Sequence, residues 1–372
     1  MKRMILLAGL ILALLLCGCE PQLPPETEPT ITPTTEPTTE PTTAPTEPPI
    51  LTGWQEVDGV RYFYDENGEP YLGWLVTAEG TFYLNADGSA QTGWTDMGDH
   101  TYRFRQDGTL VTGWHDENGS RYYFAEGGAM AQGWQTIDGN RYYFTGEGAM
   151  YTGWLYRGEY AYYLHADGKA AVGPTEIDGE TRYFGPTGIH VLLVNPWNML
   201  PEDYETDLSV FEGDLSVATA CFDALTQMFA DCRAAGCDPV LISGYRTWGT
   251  QEWLYTNELN EWLSWGYDLE SARKYAGREV AVPGTSEHQL GLAVDIVDNN
   301  NWSLTEVQET TRTQKWIMEH CWEYGFILRY PNGTTDITGI IYEPWHYRYV
   351  GVEVAMELKA MGITLEEYLG AA

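Results

Sequence analysis

Three short stretches of the chain hold residue types that can do hydrolytic chemistry. PGTSEHQLGLAVD, residues 283–295, carries His288 and, seven positions on, Asp295. Tyr342-Glu343-Pro344-Trp345-His346-Tyr347-Arg348 carries His346, with Glu343 three residues before it. Ser243-Gly244-Tyr245-Arg246-Thr247 carries Arg246. Each is weak alone: a single His is more often structural, a strand Asp is commonly a salt-bridge partner, and an Arg on a turn is commonly a surface residue. Catalytic zinc, however, takes three protein ligands and keeps a fourth position for water. His288, Asp295 and His346 supply two imidazoles and one carboxylate of that kind, so Zn2+ is the expected cofactor. Glu343 then stands beside the water as a general base, able to take its proton and give it to a leaving amine. Arg246 is a fixed fork of donors suited to a carboxylate or a developing oxyanion.

These residues need elements to hold them. Pro239–Ser243 reads as a short buried strand, which puts Arg246 just past a strand end. Leu292–Val297 alternates like a strand, with Asp295 pointing away from Leu292, Val294 and Ile296. Gly291 turns the chain before it, and His288 lies on the preceding loop. Helices are expected over 213–235, 249–265, 268–277, 312–324 and 351–361, and a further strand over 326–330. Helices grouped around a small sheet make 189–372 an α+β domain. Cys221 and Cys232 lie eleven apart on one expected helix, about 16 Å at ~1.5 Å per residue, too far to pair with each other. Cys232 with Cys237, Cys221 with Cys321, and four buried free thiols all stay open.

Ahead of this domain, Gly-Trp recurs with Trp at 54, 74, 94, 114, 134 and 154, a spacing of twenty. Aromatic clusters follow each Trp, as in Tyr62-Phe63-Tyr64, Tyr122-Tyr123-Phe124 and Tyr142-Tyr143-Phe144. Asx-Gly pairs such as Asp58-Gly59, Asn118-Gly119 and Asp138-Gly139 mark hairpin turns. One hairpin is marginal in water, but stacked hairpins share their aromatic faces. Residues 51–188 are therefore expected to form an all-β solenoid, with Pro174 replacing Trp in a capping unit.

The N-terminus combines Lys2 and Arg3 with an apolar run over 4–16. That run is short for a membrane span, so 1–18 reads as a signal peptide. Residues 19–50 are Pro, Thr and Glu with almost nothing apolar, a disordered spacer. At about 3.1 Å per residue of polyproline II it reaches roughly 90 Å. The 372-residue chain has a net charge of −34, with 54 acidic against 20 basic residues. That field argues against nucleic acid and bare anionic lipid as partners.

Three resemblances extend this reading. Leu16-Cys17-Gly18-Cys19 resembles a bacterial lipobox. It implies cleavage before Cys19, lipidation of its thiol, and an anchor on the outer face of a Gram-positive-type membrane. The array resembles the cell-wall-binding repeats of choline-binding and glucan-binding surface proteins over about 52–188. In that family, aromatics of neighbouring hairpins cage choline or stack on sugars, which implicates Trp114, Tyr122, Tyr123, Trp134, Tyr142, Tyr143 and Trp154. Choline-binding repeats usually carry an extra aromatic before the Tyr pair. Here that position holds Arg61, Thr81, Thr101, Arg121, Arg141 and Ala161, which favours a wall glycan, or no small ligand and aromatics that only form the solenoid core, over choline-decorated teichoic acid. Finally, Ser-Gly-Tyr-Arg, then Ser-x-His-x-x-Gly-x-Ala-x-Asp at 286–295, then Glu-x-Trp-His at 343–346 resemble the VanY-type zinc D-alanyl-D-alanine carboxypeptidases and the related L,D-carboxypeptidases. This likeness covers about 190–368. It implies zinc on His288, Asp295 and His346, with Glu343 as base. It also implies that Arg246, Gln251 and Ser286, with Tyr245 and Trp345 beside them, hold the terminal D-Ala and polarise the scissile carbonyl.

The expected whole is an extracytoplasmic lipoprotein that removes C-terminal D-Ala from peptidoglycan stem peptides. Two rivals are a D,D-dipeptidase or cross-link endopeptidase with the same metal site, and a wall-binding surface protein whose C-terminal domain is inert.

Overall fold

Asx-Gly pairs adopt left-handed backbone at the hairpin tips, where most residue types would be strained. Asp58, Asn118, Asp138 and Asp178 have φ of +50° to +54°, and the glycines after them +77° to +84°. Two successive positive φ values make the turn whose twist matches that of paired strands. The structure, a computed structural model, describes residues 50–158 and 160–372. The expected signal peptide, the lipidation site Cys19 and the spacer up to residue 49 lie outside the described residues.

Residues 53–184 form seven antiparallel hairpins, from Gly53–Val57 with Val60–Tyr64 to Gly173–Ile177 with Glu180–Phe184. Within each of the first six, the Trp sits opposite the second residue of the aromatic triplet or its equivalent, as in Trp54 with Phe63 and Trp134 with Tyr143. Backbone hydrogen bonds link units at a fixed offset. Ala90, Leu110, Met130, Met150, Ala170 and His190 donate to the carbonyls of Arg61, Thr81, Thr101, Arg121, Arg141 and Ala161 at 2.7–2.9 Å. Phe104, Phe124, Phe144 and Phe184, at the same place in their units, are fully buried. The stack therefore supplies the core that one hairpin lacks.

The C-terminal part is built on a four-stranded antiparallel sheet in the order Pro239–Ser243, Ala293–Asp298, His346–Tyr349, Phe326–Leu328. The helix Thr219–Ala234 covers one face, burying Leu225, Met228 and Phe229 against Leu241, Val294, Ile296 and Tyr347. The helices Trp248–Ser264 and Leu269–Glu279 pack on each other, and Asp268 caps the second through its side chain. Val352–Met361 and Leu365–Tyr368 follow the last strand.

Several expectations need correction. Residues 213–235 are not one helix: Leu215–Ala218 is a strand paired with Leu208–Glu212, and the helix starts at Thr219. Tertiary hydrogen bonds decide this, since the Ser216 carbonyl accepts from Tyr245 and the Ala218 N–H donates to Gly291. The helix from Arg312 ends at His320 in a tighter turn over Cys321–Tyr324. The strand from Phe326 stops at Leu328. His346–Tyr349, expected only as a motif, is a central strand. Cys221, Cys232, Cys237 and Cys321 are buried free thiols.

Array and C-terminal helices share a core. Leu155, Tyr162, Leu164, Ile189 and Val191 pack with Val350, Val354, Leu358, Leu365 and Leu369. No helix of the described residues is long and apolar enough to cross a membrane. Beneath this core lies a buried ion network. Arg329 Nε donates to Glu287 Oε1 at 2.8 Å, and its other nitrogens donate to Glu366 at 2.5 and 2.8 Å. Arg348 donates to Glu287 Oε1 at 2.7 Å and to the Leu192 carbonyl at 2.8 Å. Burial opposes the charge of Glu287, yet the guanidinium groups of Arg329 and Arg348 hold its carboxyl well below the usual carboxylate range. A folded-state pKa below the unfolded value of ~4.3 contributes stability that is present above that pH and lost below it. The stability of the chain, measured by urea unfolding, is therefore expected to fall as pH drops from about 5 towards 3. A flat profile over that range would contradict the network's charge state.

Candidate active site

The site is assembled by strand register. Ser243, Asp295 and His346 are opposite one another on three adjacent strands, with a bulge between Leu241 and Ser243. Side chains at paired positions share a face, so these three residues project together while Val294 and Tyr347, one step on, enter the core. His288 comes from the turn Glu287–Leu290. That turn ends at Gly291, whose φ is +73° and where a Cβ would lie 2.9 Å from the Ala218 nitrogen. Glycine is needed there for both reasons. Gly244 is similarly constrained: a Cβ would lie 2.3 Å from the Ser216 carbonyl oxygen.

One ligand atom from each of His288, Asp295 and His346 lies within 4.8 Å of the other two. His288 Nδ1 is 2.8 Å from the Gly244 carbonyl, so it carries the proton and leaves Nε2, 3.2 Å from Asp295 Oδ2, as a lone-pair donor. His346 Nδ1 is 3.0 Å from Asp295 Oδ1 and 3.6 Å from Glu343 Oε2. Its Nε2 is buried without a hydrogen-bond partner. Two imidazole nitrogens and a carboxylate, converging and buried, fit a catalytic zinc ion. The oxygen-only donors of magnesium or calcium sites are not what this set offers.

The protonation states follow from burial and neighbours. Burial opposes the charge of Asp295, but His288, His346 and Arg246 hold its carboxyl well below the ordinary value. Burial and the nearby Arg246 charge push the His288 imidazole down to about 4. His346 goes the other way: burial opposes its charge, yet Asp295 and Glu287 raise it to about 9. Burial pushes the Glu343 carboxyl up to about 8.

A cavity of about 320 Å³ opens over these groups. Arg246, Ser286, Glu343 and Trp345 line it together with the three ligand candidates. Arg246 donates to Ser243 Oγ at 2.9 Å, to Asp295 Oδ2 at 2.7 Å and to Gln251 Oε1 at 3.4 Å. Gln251 and Tyr245, also expected as substrate contacts, are not among the residues lining this cavity. Gln251 is fully buried, and its amide bridges Arg246 and the Ala281 carbonyl, so it supports Arg246 from behind. Tyr245 lines a small neighbouring cleft, which Arg246 also lines, with Leu200, Pro201 and Tyr204. Sequence reasoning missed Tyr330, whose ring lies 4.8 Å from that of His346, and Glu258 and Glu279 on the cavity wall. These come from segments with no motif of their own, and only the fold brings them in.

In the array, each tryptophan bridges its own hairpin and the next. Trp114 contacts Tyr123 and Tyr142 at 5.2 and 5.0 Å, Trp134 contacts Tyr143 and Tyr162 at 5.3 and 4.8 Å, Trp154 contacts Tyr163 at 5.4 Å, and Tyr122 contacts Trp94 at 5.0 Å. The chain's own guanidinium groups cover several of these rings. Arg61 lies 4.0 Å over Trp54, Arg121 4.7 Å over Trp114 and Arg141 4.3 Å over Trp134. A cation already occupies those ring faces.

Comparison with known proteins agrees with this division. Residues 214–352 match the VanY family, described as D-alanyl-D-alanine carboxypeptidase. Residues 131–173 match a choline-binding repeat, and 52–69 and 112–130 match a cell wall binding repeat. A D-alanyl-D-alanine carboxypeptidase of Enterococcus faecalis (strain ATCC 700802 / V583) is 41% identical over 180 residues, covering 48% of this chain and 65% of that protein. YodJ of Bacillus subtilis (strain 168), named as a carboxypeptidase, is 37% identical over 204 residues, covering 52% of this chain and 71% of that protein. A crystal structure of a vancomycin-resistance D,D-pentapeptidase VanY mutant in complex with Zn(II) is 40% identical, with a TM-score of 0.44, and covers 48% of this chain and 97% of that one. Through its C-terminal half, the chain belongs to the VanY family of D-alanyl-D-alanine carboxypeptidases.

Proposed function

We propose that this chain is a zinc-dependent carboxypeptidase that removes a C-terminal D-Ala from peptidoglycan stem peptides outside the cytoplasm. Its array would hold it on wall polymer and a lipidated Cys19 would hold it on the membrane. The convergence of donors from His288, Asp295 and His346 in a cavity that Glu343 and Arg246 also line carries this reading.

His288, Asp295 and His346 would hold the zinc, which would supply a water of pKa ~7 and a Lewis acid for the scissile carbonyl. Glu343 has a proton affinity close to neutral pH, raised by burial to about 8. Protonated at neutral pH in the metal-free site, it would be favoured in its ionised form by a bound zinc cation, and as a carboxylate it can accept a proton from water and return it to the leaving amine. Arg246 has three of its N–H directions engaged by Ser243, Asp295 and Gln251. Of the five donors a guanidinium carries, two are left for a terminal carboxylate. Ser286 and Trp345, both buried, wall the same cavity and limit the shape of the residue it accepts.

For the array, the arginines over Trp54, Trp114 and Trp134 fill the place a quaternary ammonium would take. Trp74 and Trp94 are 41% and 40% exposed, more open than most rings of the stack. Trp74 has Tyr83 and Tyr102 at 5.2 and 5.3 Å and, among the described residues, no guanidinium over its ring. A sugar, the ligand we favour, would stack on the open Trp74 ring, whereas the Trp94 ring carries the Arg103 guanidinium 5.9 Å from its centroid.

Incubated with defined muropeptides, the full chain should release one alanine from a tetrapeptide or pentapeptide stem, and a chelator should stop it. Zinc-loaded protein that leaves both stems intact would overturn the carboxypeptidase reading; cleavage of cross-linked dimers alone would make it an endopeptidase. Glu343→Gln should reduce kcat by at least about 10²-fold while zinc stays bound at one equivalent by elemental analysis. Near-normal turnover would remove Glu343 from the chemistry. The Trp74→Ala, Trp94→Ala double variant should lose retention on purified walls without losing peptidase activity. Elution of the unaltered protein by free choline would count against a glycan ligand.

A further inference from the structure

His288 and His346 turn opposite ring nitrogens towards Asp295, Nε2 and Nδ1 respectively. For His288 the partner is plain: Nδ1 faces the Gly244 carbonyl, which leaves Nε2 for the metal. For His346 it is Nδ1 that lies with Asp295 and Glu343, and Nε2 points away from the cavity into the protein. That Nε2 is buried and makes no hydrogen bond. One other unpartnered atom lies close to it, Glu287 Oε2, at 3.8 Å. Glu287 is 1% exposed and His346 4% exposed, so both atoms are shut off from bulk water.

The other oxygen of Glu287 is fully committed. Oε1 accepts from Arg329 Nε at 2.8 Å and from Arg348 at 2.7 Å. Arg329 is shared in turn with Glu366, whose Oε1 also accepts from Asn195 Nδ2 at 3.1 Å. Two guanidiniums and two carboxylates balance within the cluster, so Glu287 is not a lone buried charge. Its carboxylate is pinned at one oxygen, with the second aimed at the imidazole. A movement of about 1 Å would bring Nε2 and Oε2 to the 2.7–2.9 Å of a charge-assisted hydrogen bond. A metal-ligating histidine typically donates its other ring N–H to a carboxylate or backbone carbonyl, which fixes tautomer and ring orientation.

We propose that Glu287 is the positioning residue for His346: its free carboxylate oxygen accepts the Nε2–H, so that Nδ1 is the nitrogen presented to the metal. This rests on the metal reading above. The neighbouring pair Arg329 and Arg348 serves the same end by holding Glu287 in place, and Glu366 does so one step further out. His288 needs no such acid because a backbone carbonyl does the work. The two ligand histidines are thus oriented by chemically different groups, and only one of them depends on a side-chain network.

The test uses the full chain. Zinc affinity is measured by competition with a chromophoric chelator, and histidine tautomers by long-range 1H–15N correlation spectra of the zinc-loaded protein. Glu287→Gln, folded by circular dichroism, should bind zinc about 10–100-fold more weakly. The unaltered protein should show His346 with a protonated Nε2 and a metal-shifted Nδ1. Undiminished zinc affinity in folded Glu287→Gln, or a metal-bound Nε2 in the unaltered protein, would overturn the proposal. If the variant does not fold, the tautomer of the unaltered protein decides alone. Failure of the unaltered protein to bind zinc would instead overturn the metal reading, and this proposal with it.

Discussion

Asp295 is 2% exposed, and a carboxylate so far from water persists as an anion only when positive or donor groups surround it. Here Arg246 donates to it at 2.7 Å, while His288 Nε2 at 3.2 Å and His346 Nδ1 at 3.0 Å are the nitrogens that would share a metal cation with it. Each comes from a different segment, and each must arrive at the same point. The antiparallel register that sets Asp295 opposite both Ser243 and His346 is what makes this possible. A slip of one residue would turn Asp295 into the core and Val294 into the cavity. The geometry of the cleft, the direction of Arg246 and the place of Glu343 three residues before His346 all depend on that pairing.

Around this centre the protein places polar support that carries no motif. Gln251 braces Arg246, Gly244 fixes His288, and the Arg329–Glu287–Glu366–Arg348 cluster lies behind His346. Glu366 belongs to the short terminal helix Leu365–Tyr368, which also packs Leu365 and Tyr368 against Leu155, Tyr162 and Ile189 of the array. The segment that braces the site is therefore also the one that seats the hairpin stack. A removed partner in such a cluster leaves a buried charge uncompensated, which is costly.

The array illustrates a different economy. Its stacking is driven by aromatic faces repeated every twenty residues, and several of those faces are closed by the chain's own arginines. A ring face already engaged by a guanidinium contributes to the solenoid's cohesion. Rings left open, such as Trp74, are available to something outside the chain. Residues of one repeat position can thus be structural in some units and exposed in others.

Much of this was legible in the sequence because it was local. The period of twenty, the Asx-Gly turns, the strand Pro239–Ser243, and the spacings His288–Asp295 and Glu343–His346 announce themselves within a few residues. The α+β character and the identity of the ligand candidates followed from them. What stayed out of reach was nonlocal. Leu215–Ala218 reads as helix until the hydrogen bonds of Ser216 and Ala218 to Tyr245 and Gly291 are seen. That Gln251 braces Arg246, and that Tyr245 lines a small cleft beside Arg246, carries no mark in the sequence. Glu287 is adjacent to His288 in sequence, yet its unpaired oxygen faces His346. The sequence by itself determined which groups exist and how far apart they stand along the chain. Tertiary structure alone decided which atom of each group faces which, because strand register and burial depend on contacts between segments that the chain holds far apart.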